Sequence, residues 1–371
     1  MTPTPTFDYF PRGTPLLVTD RIETAMNAVL ESGGTAGQAY DAIEEAQVRQ
    51  LEDDPEYRDT LREAYRDSEV NLVSATMGSI DHTLTFPEGV RQDIFRWQAR
   101  FDAVDWLEKV RTPAEAREVI ENDGVGIVLN VQNGGAAIAG DVSETDHLYN
   151  AGVRIVQLTY NDQNLVGVGC TERVDAGLSN HGVEFVERLN EREMIVDLSH
   201  CGRETTLDAI SVSDRPVAIT HAFCEALTDH DRAKSDEELE ALVDVDGYFG
   251  VLAVPFFLSP GETDPDFDVF FDHIDHAVSV LGIDRVGVGT DWGSWTPELP
   301  EPLHEGIKVA FQEMGFREEH GLQIGEGFGP MQHYRDWSVI PEGLSERGYT
   351  DSEVRKILGK NFLQFFSRAT E

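Results

Sequence analysis

Lysine is nearly missing from this chain. Lys109, Lys234, Lys308, Lys356 and Lys360 are its only lysines; the remainder of its 29 Lys+Arg is arginine, set against 69 Asp+Glu for a formal net charge of -40 over 371 residues. So few positive charges argue against DNA, RNA or anionic membrane as partners, because phosphate binding takes clustered Lys and Arg. Cysteine is scarce too. Cys170, Cys201 and Cys224 are odd in number and form no CxxC pair, which is no disulfide framework and fits a reducing compartment. No apolar run approaches the roughly 18 residues of a membrane span. The opening MTPTPTFDYFPRG has neither the basic nor the apolar region of a signal peptide. The expectation is a soluble, cytoplasmic protein that does not engage a membrane.

What is present is enough to fold. With 40% hydrophobic and 9% aromatic residues, a large core can form and global disorder is excluded. The acidic excess runs the whole length of the chain. Such a charge repels itself at low salt, and about 1 M salt screens it to roughly 3 Å. The surface therefore reads as adapted to a high-salt cytoplasm of the halophile type. An ordinary acidic soluble protein is the plainer alternative.

Short β-branched runs alternate with helical spacing. Eight strands are expected: Pro15–Asp20, Val70–Gly78, Gly126–Asn133, Arg154–Asn161, Met194–His200, Pro216–Ala222, Tyr248–Val254 and Arg285–Gly293. Their near-continuous apolar character suits parallel strands buried on both faces. Between them, Thr112 followed by Pro113 starts a helix to Glu121, residues 180–190 and 235–243 have helical spacing, and Ser235 with Glu238 makes a capping box. Eight strands alternating with helices point to an α/β fold, a single (β/α)8 barrel over residues 1–371. A doubly wound open sheet is the alternative, and no GxGxxG follows an early strand to support it. An acidic helical insertion is expected near 30–69. A Pro-, Gly- and aromatic-rich stretch near 294–345 follows the last strand, where it can serve as a lid. A closing helix is expected over Asp351–Ser367.

Barrel active sites gather at the C-terminal strand ends. The polar residues there are Asp20, Ser74, Thr76, Gln132, Asn133, Tyr160, Asn161, His200, His221 and Asp291. Two histidines on consecutive strands with a carboxylate on the last make a candidate site for Zn²⁺ or another divalent ion, with His200, His221 and Asp291 as ligands. A bound ion would acidify its water, and Asp291 would take the proton. Tyr160 is a second catalytic candidate as an oxyanion donor. Gln132 and Asn161 are candidates for substrate contact. His273 and His276 read as packing or surface, Cys201 and Cys224 as barrel lining. Trp292 and Trp295 are either pocket wall or packing.

The runs MIVDLSH, PVAITHA, DHIDHAVSVLGIDRVGVGTD and LGKNFLQFF resemble the renal (membrane) dipeptidase family of metallopeptidases, in the amidohydrolase superfamily. The likeness covers most of the chain from about residue 120 onward. It implies a two-zinc barrel that hydrolyses dipeptides. It also implies that His200 and His221 hold the second metal, that Asp291 handles the proton of the bridging water, and that Arg232 binds the substrate carboxylate. Three positions depart from the family pattern. The first strand reads LLVTDRIE in place of an HxD pair, NVQNGG puts Gln132 where a bridging Glu belongs, and LTYN puts Tyr160 where a His belongs. The implied protein is a divergent member: a hydrolase of an amide C–N bond in a small carboxylate-bearing substrate, dipeptide or N-acyl amino acid, with one divalent ion per chain. The alternatives are a metal-free barrel enzyme and a non-catalytic small-molecule binder. A homodimer is expected by analogy alone.

Overall fold

The computed structural model describes residues 4–78, 86–293 and 296–371. Among them run nine parallel strands: β1 (Phe7–Tyr9), β2 (Leu72–Met77), β3 (Leu107–Lys109), β4 (Val125–Val131), β5 (Val153–Gln157), β6 (Ile195–Asp197), β7 (Ala218–Ala222), β8 (Tyr248–Val251) and β9 (Val286–Val288). Eight follow one another as β1-β2-β4-β5-β6-β7-β8-β9, and β3 pairs with β4 off that path. The two ends of the path meet. Asp291 N donates to Tyr9 O at 2.9 Å, and the Asp8 carboxylate accepts from Thr290 N and Thr290 Oγ1, each at 2.7 Å. The fold is a (β/α)8 barrel.

One expected strand is misplaced. Residues 15–19 form no strand, and Asp20 opens a helix, Asp20–Glu31, that Thr19 caps by accepting from Ile22 N. Asp20 and Glu23 lie in the first turn of that helix, where negative charge is favoured. The first strand is instead the short run FDY. It is followed by Phe10, which is buried against the stacked ring of Tyr334. β3 was not expected at all.

Alternation along the strands builds the interior in layers, because side chains two apart share a face. Phe7, Leu72, Val128, Ile155, Ile195, Ala218 and Tyr248 form an apolar floor with Phe362, Phe365 and Phe366 of the C-terminal helix Asn361–Thr370. Two residues further along six of these strands stand Tyr9, Ser74, Asn130, Gln157, Asp197 and Thr220, all buried and all polar. Above that layer the strands run out into the site. The expected closing helix is broken by a wide turn at Lys356–Lys360. There Gly359 lets the chain before β1 approach: a Cβ on it would lie 2.5 Å from Pro5 O.

Helices Pro113–Glu121, Asn180–Glu191 and Asp236–Asp244 stand where the spacing placed them, the last with both capping-box bonds made. Helices Ala36–Asp53 and Pro55–Ser68 occupy the acidic stretch. Buried Arg12 and Arg100 both pair with Glu44 of the first of these. After β9 come helix Glu301–Glu313, short turns at Glu318–His320 and Tyr334–Ser338, and helix Val339–Glu346. Among the described residues, no helix is long and apolar enough to cross a membrane.

Candidate active site

His200 lies just beyond β6, and His221 lies in β7. Their rings are 5.2 Å apart between centroids, tilted by 56°. Each is covered by a tyrosine: Tyr160 stacks on His200 at 4.1 Å, and Tyr9 stacks on His221 at 3.8 Å. Both imidazoles are buried. Burial, with Arg232 nearby, pushes their pKa well below the ordinary 6.5, so both are neutral at physiological pH.

Each histidine is oriented from behind through Nδ1. His200 Nδ1 is 2.7 Å from Asn161 Oδ1, and Asn161 Nδ2 donates to Met314 O at 2.9 Å. His221 Nδ1 is 2.8 Å from Thr220 Oγ1, which lies 2.7 Å from Asp197 Oδ2. Asp197 also accepts from Ser199 N, Ser199 Oγ and Thr220 N. Burial still raises its pKa, against these bonds.

Asp291 sits half-buried beyond β9 in the left-handed backbone region, with φ 56°. Aspartate tolerates that region better than most residues. Burial pushes its carboxyl up to about 7; Arg232 pulls it down, and Asp8 and Asp197 push it further up. Burial and the Asp291 charge raise the Tyr160 phenol, so Tyr160 stays a proton donor. Asp291, Tyr160, His200, His221 and Arg232 therefore share one electrostatic neighbourhood.

Arg232, which the resemblance assigns to the substrate carboxylate, is bonded to the backbone in this structure. It is fully buried, and its Nη1 and Nη2 donate to the carbonyls of Ser199 and His221. It straps together the two strand ends that carry the histidines. Among the described residues, its Nε has no partner. Asn161 is also corrected: it is fully buried, with its amide spent on His200 and Met314, so it orients a site residue and does not line a substrate surface. Gln132 donates to the Tyr9 hydroxyl and lies 3.5 Å from His221 Nε2. His273 Nδ1 accepts from Cys224 N, and His276 meets Asp236. Trp292 is buried, its Nε1 donating to Glu298. Trp295 lies outside the described residues.

Tyr9 is the site residue the sequence reading missed. Its hydroxyl is 2.9 Å from Thr76 Oγ1 and 3.3 Å from Asn130 Oδ1, besides the bond from Gln132. Asn130 Nδ2 donates onward to Ser74. The available signal was the alternation Phe7, Asp8, Tyr9, two aromatics flanking an acid in a β-prone run.

These donors decide how a metal would fit. Tyr9, Thr76, Asn130 and Gln132 fill one side of the barrel mouth with neutral groups already bonded to one another. Among the described residues, no three His, Cys, Asp or Glu side chains come together as a metal-holding group. A catalytic zinc commonly takes three protein ligands, and charged ones offset its charge. The residues do not fit a two-ion centre. For a single ion they supply the imidazole pair alone, not the His200, His221 and Asp291 set expected from the strand ends.

The comparisons agree with the geometry at the level of family. The profile of the membrane dipeptidase family (peptidase family M19) matches residues 92–309. The dipeptidase verJ of Clonostachys rogersoniana is 26% identical over 310 residues, 82% of this chain and 68% of that protein. An uncharacterized dipeptidase of Schizosaccharomyces pombe is 32% identical over 208 residues, 54% of this chain and 50% of that protein. The match thus spans only about half of the yeast protein's length. Among solved structures, an amidohydrolase from Pseudomonas aeruginosa superposes with a TM-score of 0.75 at 28% identity, over 84% of this chain and 93% of that one. A metallopeptidase of family M19, dipeptidase AC, gives 0.72 at 16% identity over 99% of both chains, a likeness of fold. The (β/α)8 barrel, the DLSH and ITHA strand ends and the profile match converge: the chain belongs to the membrane dipeptidase family, peptidase family M19.

Proposed function

We propose that this chain hydrolyses an amide C–N bond in a small carboxylate-bearing substrate, a dipeptide or N-acyl amino acid. The observation that carries the reading is Asp291, a carboxyl with a pKa of about 7, beside a protonated Tyr160, two neutral imidazoles and a buried arginine at the mouth of a barrel of this family. A general base works best when its pKa lies near the operating pH. Ionised Asp291 removes a proton from water as the water oxygen adds to the substrate carbonyl carbon. Tyr160 donates to the developing oxyanion. The Asp291 acid then returns the proton to the departing nitrogen as the C–N bond breaks. Arg232 contributes the positive field that favours an anionic substrate. The stretch after β9, whose Met314 and Tyr334 pack against Asn161 and Phe10, is proposed as the lid.

The imidazole pair, with ring centres 5.2 Å apart on neighbouring strands, favours a second reading, in which one divalent ion sits on His200 and His221. One experiment separates the two. Protein purified in high salt without a polyhistidine tag is assayed for metal, then assayed on dipeptides and N-acyl amino acids before and after chelation. Turnover that survives chelation, and falls on Asp291→Asn, supports the first reading. Turnover lost with the metal and restored by zinc or manganese supports the second. Binding without product in every preparation overturns both.

A further inference from the structure

The stretch that follows helix Glu301–Glu313 reaches His200 through a single side chain. Met314 O can only accept. Asn161 Nδ2 donates to it at 2.9 Å, which fixes which end of the Asn161 amide is nitrogen. The other end, Oδ1, is 2.7 Å from His200 Nδ1 and can only accept. His200 must therefore carry its proton on Nδ1. In the neutral ring this leaves Nε2 without a proton, as an acceptor.

The stretch is held in place on both sides. Arg317 Nη1 donates to Thr171 O at 2.9 Å, and Arg317 pairs with Asp231, next to Arg232. Thr171 N and Oγ1 in turn bond Asn161 O at 3.2 and 3.0 Å. The packing is close. Gly315 has φ +94°, and a Cβ there would lie 2.6 Å from Thr171 Oγ1 and 2.8 Å from Asp162 Oδ1.

We infer that Asn161 is a positioning residue that locks His200 in the Nδ1–H tautomer, and that the Met314 carbonyl, seated by Gly315 and Arg317, holds Asn161 in the orientation that does so. The lock presents an acceptor nitrogen, not a donor, from His200 toward the barrel mouth. Its catalytic meaning rests on the hydrolase reading above; the tautomer itself does not. If the stretch shifts, the Asn161 amide loses the bond that fixes its orientation, and it can turn its NH₂ toward Nδ1. His200 then takes the opposite tautomer and presents N–H to the substrate.

The tautomer is read without turnover, by two-bond proton–nitrogen NMR on protein labelled with ¹⁵N-histidine, with His200 assigned by its loss in His200→Gln. The expected wild-type signal is a single neutral Nδ1–H form. Asn161→Leu and, without touching His200, Gly315→Ala should each give a mixture or the Nε2–H form, with Gly315→Ala still folded by circular dichroism. A wild-type His200 protonated on Nε2, or a signal unmoved in both variants, overturns the inference. If Asn161→Leu does not fold, Gly315→Ala and Arg317→Gln carry the test. Should an activity be found, Gly315→Ala is expected to lower kcat about tenfold or more. A normal tautomer lock in a protein that turns nothing over would leave this inference standing and remove the hydrolase reading.

Discussion

Replacing Asp291 by asparagine should inactivate the protein and stabilise it, with a gain that depends on pH. Asparagine keeps the shape of the carboxyl and, like aspartate, tolerates the left-handed backbone at φ 56°. The folded carboxyl titrates near 7, against 3.8 for an ordinary aspartate. Below pH 4 it is protonated in both the folded and unfolded states and contributes no difference. Between 4 and 7 the unfolded chain ionises while the folded one holds its proton, so stability falls as pH rises. Above 7 the loss is complete. At about 1.36 kcal/mol per decade, the interval corresponds to about 4 kcal/mol, and because Asp291 is partly exposed, about 2 kcal/mol is the better figure after solvent screening. Asp291→Asn removes this cost. In urea titrations at fixed high salt, the variant should match wild type near pH 4 and exceed it by about 2 kcal/mol at pH 8. The same variant should lose about 10²- to 10⁴-fold in kcat/KM, and wild-type kcat/KM should rise with pH through about 7. A stability difference that is flat with pH, or that grows toward acid, would refute the assignment of a strained, base-forming carboxyl.

Tyr9→Phe strips the shared hydroxyl from Thr76, Asn130 and Gln132; it should cost about 1–3 kcal/mol for the buried groups left unpaired, read by the urea midpoint. Lys234→Met leaves Glu238 buried without the ammonium 3.0 Å away and should cost about 3–5 kcal/mol, whereas the double change Lys234→Met with Glu238→Leu should recover much of that. With a net charge of -40, the melting temperature should climb as KCl is raised from about 0.1 M, where charges still interact over about 10 Å, to about 1 M, where they do not. A melt more stable at low salt would defeat the high-salt reading of the surface.

The barrel was legible because its signal is repeated. Strands as short as Ile195–Asp197 were found inside longer apolar runs, since burial on both faces leaves no polar register to misread. β1 was not legible for the opposite reason. It is three residues long, sits next to a more apolar stretch, PLLV, and contains an acid. Its Asp8 pays its desolvation through bonds from Thr290, 282 residues away in sequence, which no local pattern reports. Missing β1 hid Tyr9, and with it the side chain that fills the mouth where the family pattern expects a metal-binding pair.

His200, His221 and Asp291 were legible as strand ends, but their roles depend on what lies behind them. Asn161 looked like a substrate contact because it follows Tyr160 at the end of a strand run. The chain turns there, and the amide is aimed at His200 and at Met314, far along the sequence. Arg232 likewise was expected to face a substrate carboxylate, yet two of its nitrogens donate to the carbonyls of the histidine-bearing strands. In both cases residue type was a good guide to polarity and a poor one to partner. The layered interior explains why the distinction matters. Much of its middle layer is bonded within the protein, Tyr9 with Asn130, Asn130 with Ser74, Asp197 with Thr220, while Gln157 Oε1 is buried without a partner among the described residues. Neutral groups already bonded to one another offer little to an incoming ion. On the hydrolase reading, what remains to meet substrate is the layer above, where burial pushes Asp291 up to about 7, near the pH of a neutral solution, and keeps the two imidazoles neutral. A proton can move at that site with little cost in either direction, which is what hydrolysis of an amide asks of a base that must also become the acid.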